Sequence, residues 1–267
     1  MIPDFDSIRA TSEGSPFGGE NAIPTLILTP RFTEDSQSLW RAAGHLGWRV
    51  ERLTGWKVPE ELRTIPEPVL YLEVLFGPTL AEHFGLRLLE QPDDWLPRLP
   101  EEYRKRSVVI STLGDARSLE VSAFIKPPND KSFPARAYVG SELPEGYGDD
   151  SPVLMAEIVC WEKEFRCFAL DREPRTTSVY LRNGELQREL GFVSDSFELK
   201  EAEEFARRVL SDQRVEFPRA AVLDVGVIAG RGWAVVEQNA AWGSGIYGCD
   251  PTRVLEVLRH AAVKIDS

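Results

Sequence analysis

Three oxygen-bearing side chains toward the C-terminal end of the 267-residue chain carry the strongest chemical signal. In AAVLDVGVIAGRGWAVVEQN, residues 220–239, two strand-like runs flank Gly230-Arg231, a pair that suits a tight type II′ hairpin turn. A hairpin centred there sets Asp224 opposite Glu237 and Val222 opposite Asn239, and strand alternation puts Glu237 and Asn239 on one face. Two carboxylates and an amide oxygen then converge among Val and Ala side chains. Like charges directly opposite are destabilising unless something neutralises them. An all-oxygen set suits Mg²⁺ or Mn²⁺, and magnesium held by few protein oxygens ordinarily shares its shell with phosphates, which points to a nucleoside triphosphate. Without a metal the same residues make a solvated sheet face carrying an Asp and a Glu.

Upstream, the apolar strand AFIK ends on Lys126, and the polar loop after it carries Lys131 and Ser132. Lys126 either extends to water or meets an anion. Later, VLMAEIV precedes WEKEFRCF, whose alternation puts Glu164 and Arg166 on one face; Arg166 either meets an anion there or pairs with Glu162 or Glu164. The segment WGSGIYG, residues 242–248, follows Asn239 closely. Its small residues and N–H groups, with Ser244 as a donor, suit a substrate carboxylate; the alternative is a plain connector. Its spaced glycines imitate a dinucleotide fingerprint, but no second strand with an acidic residue follows, so a Rossmann site is not expected.

These side chains need elements to hold them. Apolar runs predict strands at 25–28, 48–53 and 68–74, with a helix from about Asp35 presenting Leu39, Trp40, Ala43 and Leu46 on one face, and a short helix from Gly77-Pro78 to Phe84. That rhythm reads as a small parallel sheet, a half-Rossmann unit. From about Arg106 onward, strands at 122–126, 153–160, 164–170, 177–181, 220–228 and 233–238 dominate. Two helices interrupt them, one over 199–210 and one opening at Asp250-Pro251, an N-cap followed by Pro. The fold class is therefore mixed: α/β at the front, α+β with antiparallel sheet behind. The division is a Gly/Ser/Pro-rich arm over 1–22, an α/β domain over 23–106 and a second domain over 107–267.

The 31 basic and 43 acidic residues leave a net charge of −12, which disfavours general binding to nucleic-acid phosphates. No stretch predicts a membrane span or a secretory leader, so a cytoplasmic protein with no membrane partner is expected. Three scattered cysteines read as inert core thiols, and three scattered histidines argue against a His-built metal site.

Taken in order, FIKPPNDKSF, AEIVCWEKEFRCF and the Asp224…Glu237-x-Asn239 set running into NAAWGSGIYGCDP resemble the ATP-grasp superfamily, most of all the branch related to RimK-type ligases. The resemblance covers about residues 25–262 and implies a pre-ATP-grasp α/β domain followed by antiparallel sheets that clamp ATP. It implies that Lys126 contacts the α- and β-phosphates, that Glu157, Ile158 and Val159 receive the adenine, and that Glu164 binds the ribose hydroxyls. Asp224, Glu237 and Asn239 would hold magnesium, and an earlier basic residue, Arg106 among Arg104, Lys105 and Arg106, would reach the phosphates. Lys131 and Arg166 would assist phosphoryl transfer; Ser244 and Arg182 would face substrate. The implied activity is ATP-dependent joining of a small-molecule or peptide carboxylate to an amine through an acyl phosphate. A small-molecule kinase or a non-catalytic ATP-binding module is the alternative. One departure stands out: the loop over the triphosphate, glycine-rich in that superfamily, has no glycine between Pro127 and Arg136.

Overall fold

The computed structural model describes residues 22–129 and 131–265, so the expected arm over 1–22 lies, apart from Ala22, outside the described residues. The chain opens with β1 (Thr25–Leu28), α1 (Glu34–His45), β2 (Arg49–Arg52) and β3 (Pro68–Tyr71). The strands form the expected small parallel sheet, in the order β2-β1-β3. A capping box starts α1: the Thr33 hydroxyl accepts from the Ser36 amide (3.1 Å) and the Ser36 hydroxyl from the Thr33 amide (3.0 Å). Leu39 and Ala43 are buried as expected, whereas Trp40 and Leu46 are exposed. The apolar stripe of α1 is narrower than its sequence suggests, and the Trp40 ring faces the Arg52 guanidinium at the surface instead (5.9 Å).

Next come α2 (Gly77–Glu82), β4 (Leu86–Leu88), α3 (Trp95–Arg98) and α4 (Glu101–Arg104). β5 (Val108–Thr112), α5 (Leu113–Arg117), β6 (Ala123–Lys126), β7 (Arg136–Tyr138) and β8 (Pro152–Ala156) follow. Their strands form an antiparallel sheet ordered β5-β8-β6-β7. A larger antiparallel sheet, β11-β10-β9-β12-β13, is made from β9 (Trp161–Leu170), β10 (Glu173–Arg182), β11 (Glu185–Leu186), β12 (Ala220–Ile228) and β13 (Gly232–Asn239). α6 (Ser196–Ser211) packs on one side of it through Phe205, Ala206 and Val209, against Phe165 and Val225. Burying a Phe, Val or Leu completely is worth about 1.5–3 kcal/mol each, which is what holds helix to sheet.

The last helix, α7 (Pro251–Leu258), starts as expected: the Asp250 carboxylate accepts from the amides of Thr252 (2.8 Å) and Arg253 (3.1 Å), and Pro251 fills the first turn. Its apolar face joins the core of the leading parallel sheet, and β14 (Ala262–Lys264) pairs with β4. The C-terminal end therefore returns to the first unit and ties the two halves together.

The β12–β13 hairpin reaches the expected pairing by a different route. Asp224 faces Glu237 and Val222 faces Asn239, but near the turn Ile228 faces Gly232, leaving a three-residue loop. Gly230 (φ +71°) and Gly232 (φ +76°) adopt left-handed conformations that favour glycine in such loops. The register then shifts between Asp224 and Val225, where Val236 is extra: a β-bulge offsets the longer loop. Without the bulge Glu237 would pass to the other face.

Candidate active site

A cavity of about 830 Å³ lies between the two antiparallel sheets. β6 and β8 contribute Phe124, Lys126, Leu154 and Ala156; β9, β10 and β13 contribute Glu164, Tyr180, Glu237 and Asn239. The connection from β8 to β9 borders it with Glu157, Ile158 and Val159, and the glycine-free loop after β6 borders it with Lys131 and Ser132. A second cavity of about 190 Å³ adjoins it, lined in part by Arg166, Ser244, Gly245 and Tyr247. The two share Asn129, Lys131, Glu237 and Asn239, so these residues mark their junction.

At the junction the expected oxygen set does come together. Asn239 Nδ2 donates to Asp224 Oδ2 (3.1 Å) and to Glu237 Oε1 (2.9 Å). The carboxylates are neutralised by two cations. The Lys126 ammonium, from the opposite sheet, donates to Glu237 Oε2. Arg166 holds Asp224 with two bonds, Nε to Oδ1 (2.9 Å) and Nη2 to Oδ2 (2.6 Å). Burial alone would raise the Glu237 carboxyl, but Lys126 and the Asn239 amide outweigh it and hold the pKa at about 2. For Asp224, fully enclosed, burial prevails over Arg166 and the pKa is raised.

Of the three expected oxygen donors, Glu237 and Asn239 border the cavities; Asp224 borders neither and stands behind Asn239. Among the described residues no three of His, Cys, Asp and Glu form a metal-binding group. Glu237 with Asn239, whose amide presents oxygen on turning over, still fits magnesium, which ordinarily takes one or two protein carboxylates and completes its octahedron with phosphate and water. Of the expected three-residue ligand set, Asp224 stands furthest from the cavities, held by Arg166.

Arg166 pairs with neither Glu162 nor Glu164. Asp224 is its direct cross-strand partner, and its Nη1 donates to the Gly245 carbonyl (2.9 Å). Glu164 instead accepts from the Tyr180 hydroxyl (2.9 Å), and burial lifts its pKa to about 7. Of the three early basic residues, Arg106 borders the large cavity, stacked over the Trp161 ring (5.0 Å). Its guanidinium donates to the carbonyls of Val235 (2.7 Å) and Val236 (2.8 Å), so it also satisfies the backbone of the bulge, and burial lowers its pKa to about 10. Lys105 turns to the Arg231 carbonyl (2.6 Å) and Arg104 to that of Val108 (3.3 Å). Glu157 is bound by Arg231 (2.5 and 3.0 Å), whose bonds hold its pKa at about 2.

Two expected substrate residues sit differently. The Ser244 hydroxyl borders the small cavity but donates to the Ala240 carbonyl (2.7 Å). Arg182 borders neither cavity: it grips Glu198 on α6 (3.1 and 2.6 Å), an ion pair across secondary structure elements that the alternation of β10 alone does not reveal. Cys160 is exposed, unlike the expected core thiol, while Cys167 and Cys249 are buried and burial pushes the Cys167 thiol up to about 12.

The loop between β6 and β7 is tethered by side chains. Asn129 Nδ2 donates to Asp93 (2.5 Å), Gln91 Nε2 donates to Asn129 Oδ1 (2.6 Å), and Phe133 packs in the small-sheet core between Tyr138 and Tyr147. Among the described residues of this loop, the packing of Phe133 and these bonds supply the anchoring. Their signal in the sequence is the Phe-Pro pair at 133–134.

Residues 103–257 match a family model described as an ATP-grasp domain, family 2 of its clade, and the chain belongs to that family. Among solved structures it is similar to D-alanine–D-alanine ligase from Bacillus anthracis at 13% identity, covering 90% of this chain and 97% of that one, with TM-score 0.54. It is similar to a RimK-domain ATP-grasp protein from Sphaerobacter thermophilus at 14% identity (88% and 99% covered, TM-score 0.53). It is also similar to an L-amino acid ligase from Bacillus licheniformis at 14% identity (91% and 75% covered, TM-score 0.54). At such identities the likeness is one of fold, and it bears out the ATP-grasp architecture. Compared by sequence with curated proteins, the chain matches none. Among the described residues no helix is long and apolar enough to cross a membrane.

Proposed function

We propose that this protein is an ATP-dependent carboxylate–amine ligase that works through an acyl phosphate. The observation that carries the reading is the junction: a nucleotide-sized cavity and a smaller one meet at Lys131, Glu237 and Asn239. In this reading residues 23–106 are the leading domain and 107–267 the ATP-grasp domain. The adenine lies along 157–159, the ribose hydroxyls meet Glu164, and the triphosphate runs past Arg106 and Lys126 to the junction. Magnesium, held by Glu237 and Asn239, would neutralise phosphate charge there.

On binding the nucleotide, Lys126 moves its donors from Glu237 to phosphate oxygens, freeing that carboxylate. A substrate carboxylate in the small cavity then attacks the γ-phosphorus. The bond from that phosphorus to the bridging oxygen breaks, ADP leaves, and the acid becomes an acyl phosphate. The amine next attacks the acyl carbon and expels inorganic phosphate. Lys131 lies where the transferring group passes, and positioned cations at such a place are the main contribution proteins make to phosphoryl transfer. Arg166 acts one step back, fixing Asp224 and the Gly245 carbonyl.

The test is ADP release from MgATP with carboxylic acids and hydroxylamine, which intercepts acyl phosphates as hydroxamates. Hydroxamate formed in step with ADP supports the proposal. ADP with a stable phosphorylated product would select a kinase, and ATP binding without any ADP release would select a non-catalytic module.

A further inference from the structure

Resting on the ligase reading, we propose that the small cavity takes the zwitterion of a free α-amino acid, with Glu90 receiving its ammonium group and Lys131 its carboxylate. The argument starts from which charges around that cavity already have partners. Arg166 is bound to Asp224, and Glu237 is bound to Lys126. Two lining charges remain, Lys131 and Glu90, and among the described residues neither makes an ion pair or hydrogen bond. One cation and one anion without partners, bordering one small cavity, are the complement of a molecule that carries both signs.

Position assigns the ends. Lys131 borders both cavities, so a carboxylate on it lies beside the phosphoryl group it must attack. Glu90 borders only the small cavity, away from the nucleotide. Glu90 lies at the exposed rim of the cavity, where desolvation and the nearby Asp93 carboxylate raise its pKa, as expected for an anion with no cation beside it. Asp93 itself is engaged by Asn129 (2.5 Å), so it does not compete for the ammonium.

Size and chemistry exclude other acids. At about 190 Å³ the cavity is smaller than the ~300–1,000 Å³ of sites for drug-sized ligands, which fits a single residue. The C-terminal residue of a peptide carries an amide where the ammonium would be and leaves Glu90 unanswered. A simple carboxylic acid does the same, and a dicarboxylate meets Glu90 with a like charge.

The experiment measures hydroxamate formation and ADP release with MgATP and hydroxylamine for three sets of acids: free α-amino acids, their N-acetyl derivatives and their deaminated analogues. Only the free amino acids are expected to react efficiently. Glu90→Gln should raise the KM for the amino acid by about 10- to 100-fold, the range for loss of a charge-assisted hydrogen bond, while the KM for ATP stays the same. The variant should also stop discriminating against the N-acetyl form. Hydroxamate formation from N-acetyl or deaminated acids at rates equal to those of amino acids would overturn the zwitterion proposal and leave the ligase reading standing. Unchanged discrimination in Glu90→Gln would overturn it too. Failure of every acid to release ADP would overturn both.

Discussion

The two cavities are built from different material. The large one takes much of its wall from strands of two sheets, and the polar side chains on or beside those strands are pinned: Glu164 by Tyr180, Arg106 by the bulge carbonyls, Glu237 by Lys126. The small one draws most of its wall from irregular segments, namely residues 90–91, Asn129, Lys131 and the 242–247 stretch, and both charges without partners, Glu90 and the shared Lys131, border it. Strand walls position groups for a ligand that never changes. Loop walls can vary without disturbing the sheets, and they are where the proposed substrate-selecting chemistry falls. Solved structures near 14% identity share the fold.

Substitutions test that contrast, beginning at one of the residues both cavities share. Glu237→Ala should reduce ADP release by about 10²–10³-fold, the loss typical of removing one preorganised electrostatic group, and should weaken magnesium-dependent ATP binding by calorimetry. Unchanged turnover would break the assignment of the junction. Arg166→Met should act on stability: it strands the enclosed Asp224 carboxylate, and breaking such a buried pair costs about 3–5 kcal/mol in urea denaturation. Lys in its place should restore only part of that, because an ammonium cannot make the two-pronged contact.

Glu164 belongs to the large cavity alone and predicts a pH effect. Its folded pKa of about 7 lies above the ordinary 4.5, so the neutral form is favoured in the folded state. Below 4.5 the group is neutral in both states and has no effect. As pH rises toward 7 the unfolded chain ionises first and stability falls, by up to about 3 kcal/mol, then levels off. Glu164→Gln should remove that slope between pH 5 and 7.5; an identical slope in both proteins would show that the carboxyl is not held neutral. The smallest effect is expected for Asn129→Ala, which loses the loop tether to Asp93 and Gln91. A several-fold rise in the KM for ATP with a melting temperature within a few degrees of the parent would separate tethering from folding.

The strand-borne part of the large cavity is legible in the sequence because those residues alternate regularly. Alternation pairs Asp224 with Glu237 correctly although the turn is one residue longer than Gly230-Arg231 suggests, because the bulge at Val236 restores the register. The helix starts at Thr33 and Asp250 follow local capping chemistry, which sequence displays directly. What sequence does not display is which distant strands become neighbours. Arg166 meets Asp224 because β9 pairs with β12 across the α6 excursion, and Lys126 meets Glu237 because two separate sheets face each other. Glu90 gives no local signal at all, since it lies in an irregular segment and matters only through the cavity it borders.

The most direct test of the central claim follows oxygen rather than rate. An amino acid labelled with heavy oxygen in its carboxylate is turned over with MgATP and an amine, and the released phosphate is weighed by mass spectrometry. Attack of the carboxylate on the γ-phosphorus predicts one labelled oxygen in each phosphate. Unlabelled phosphate, with its new oxygen drawn from water, would contradict the account.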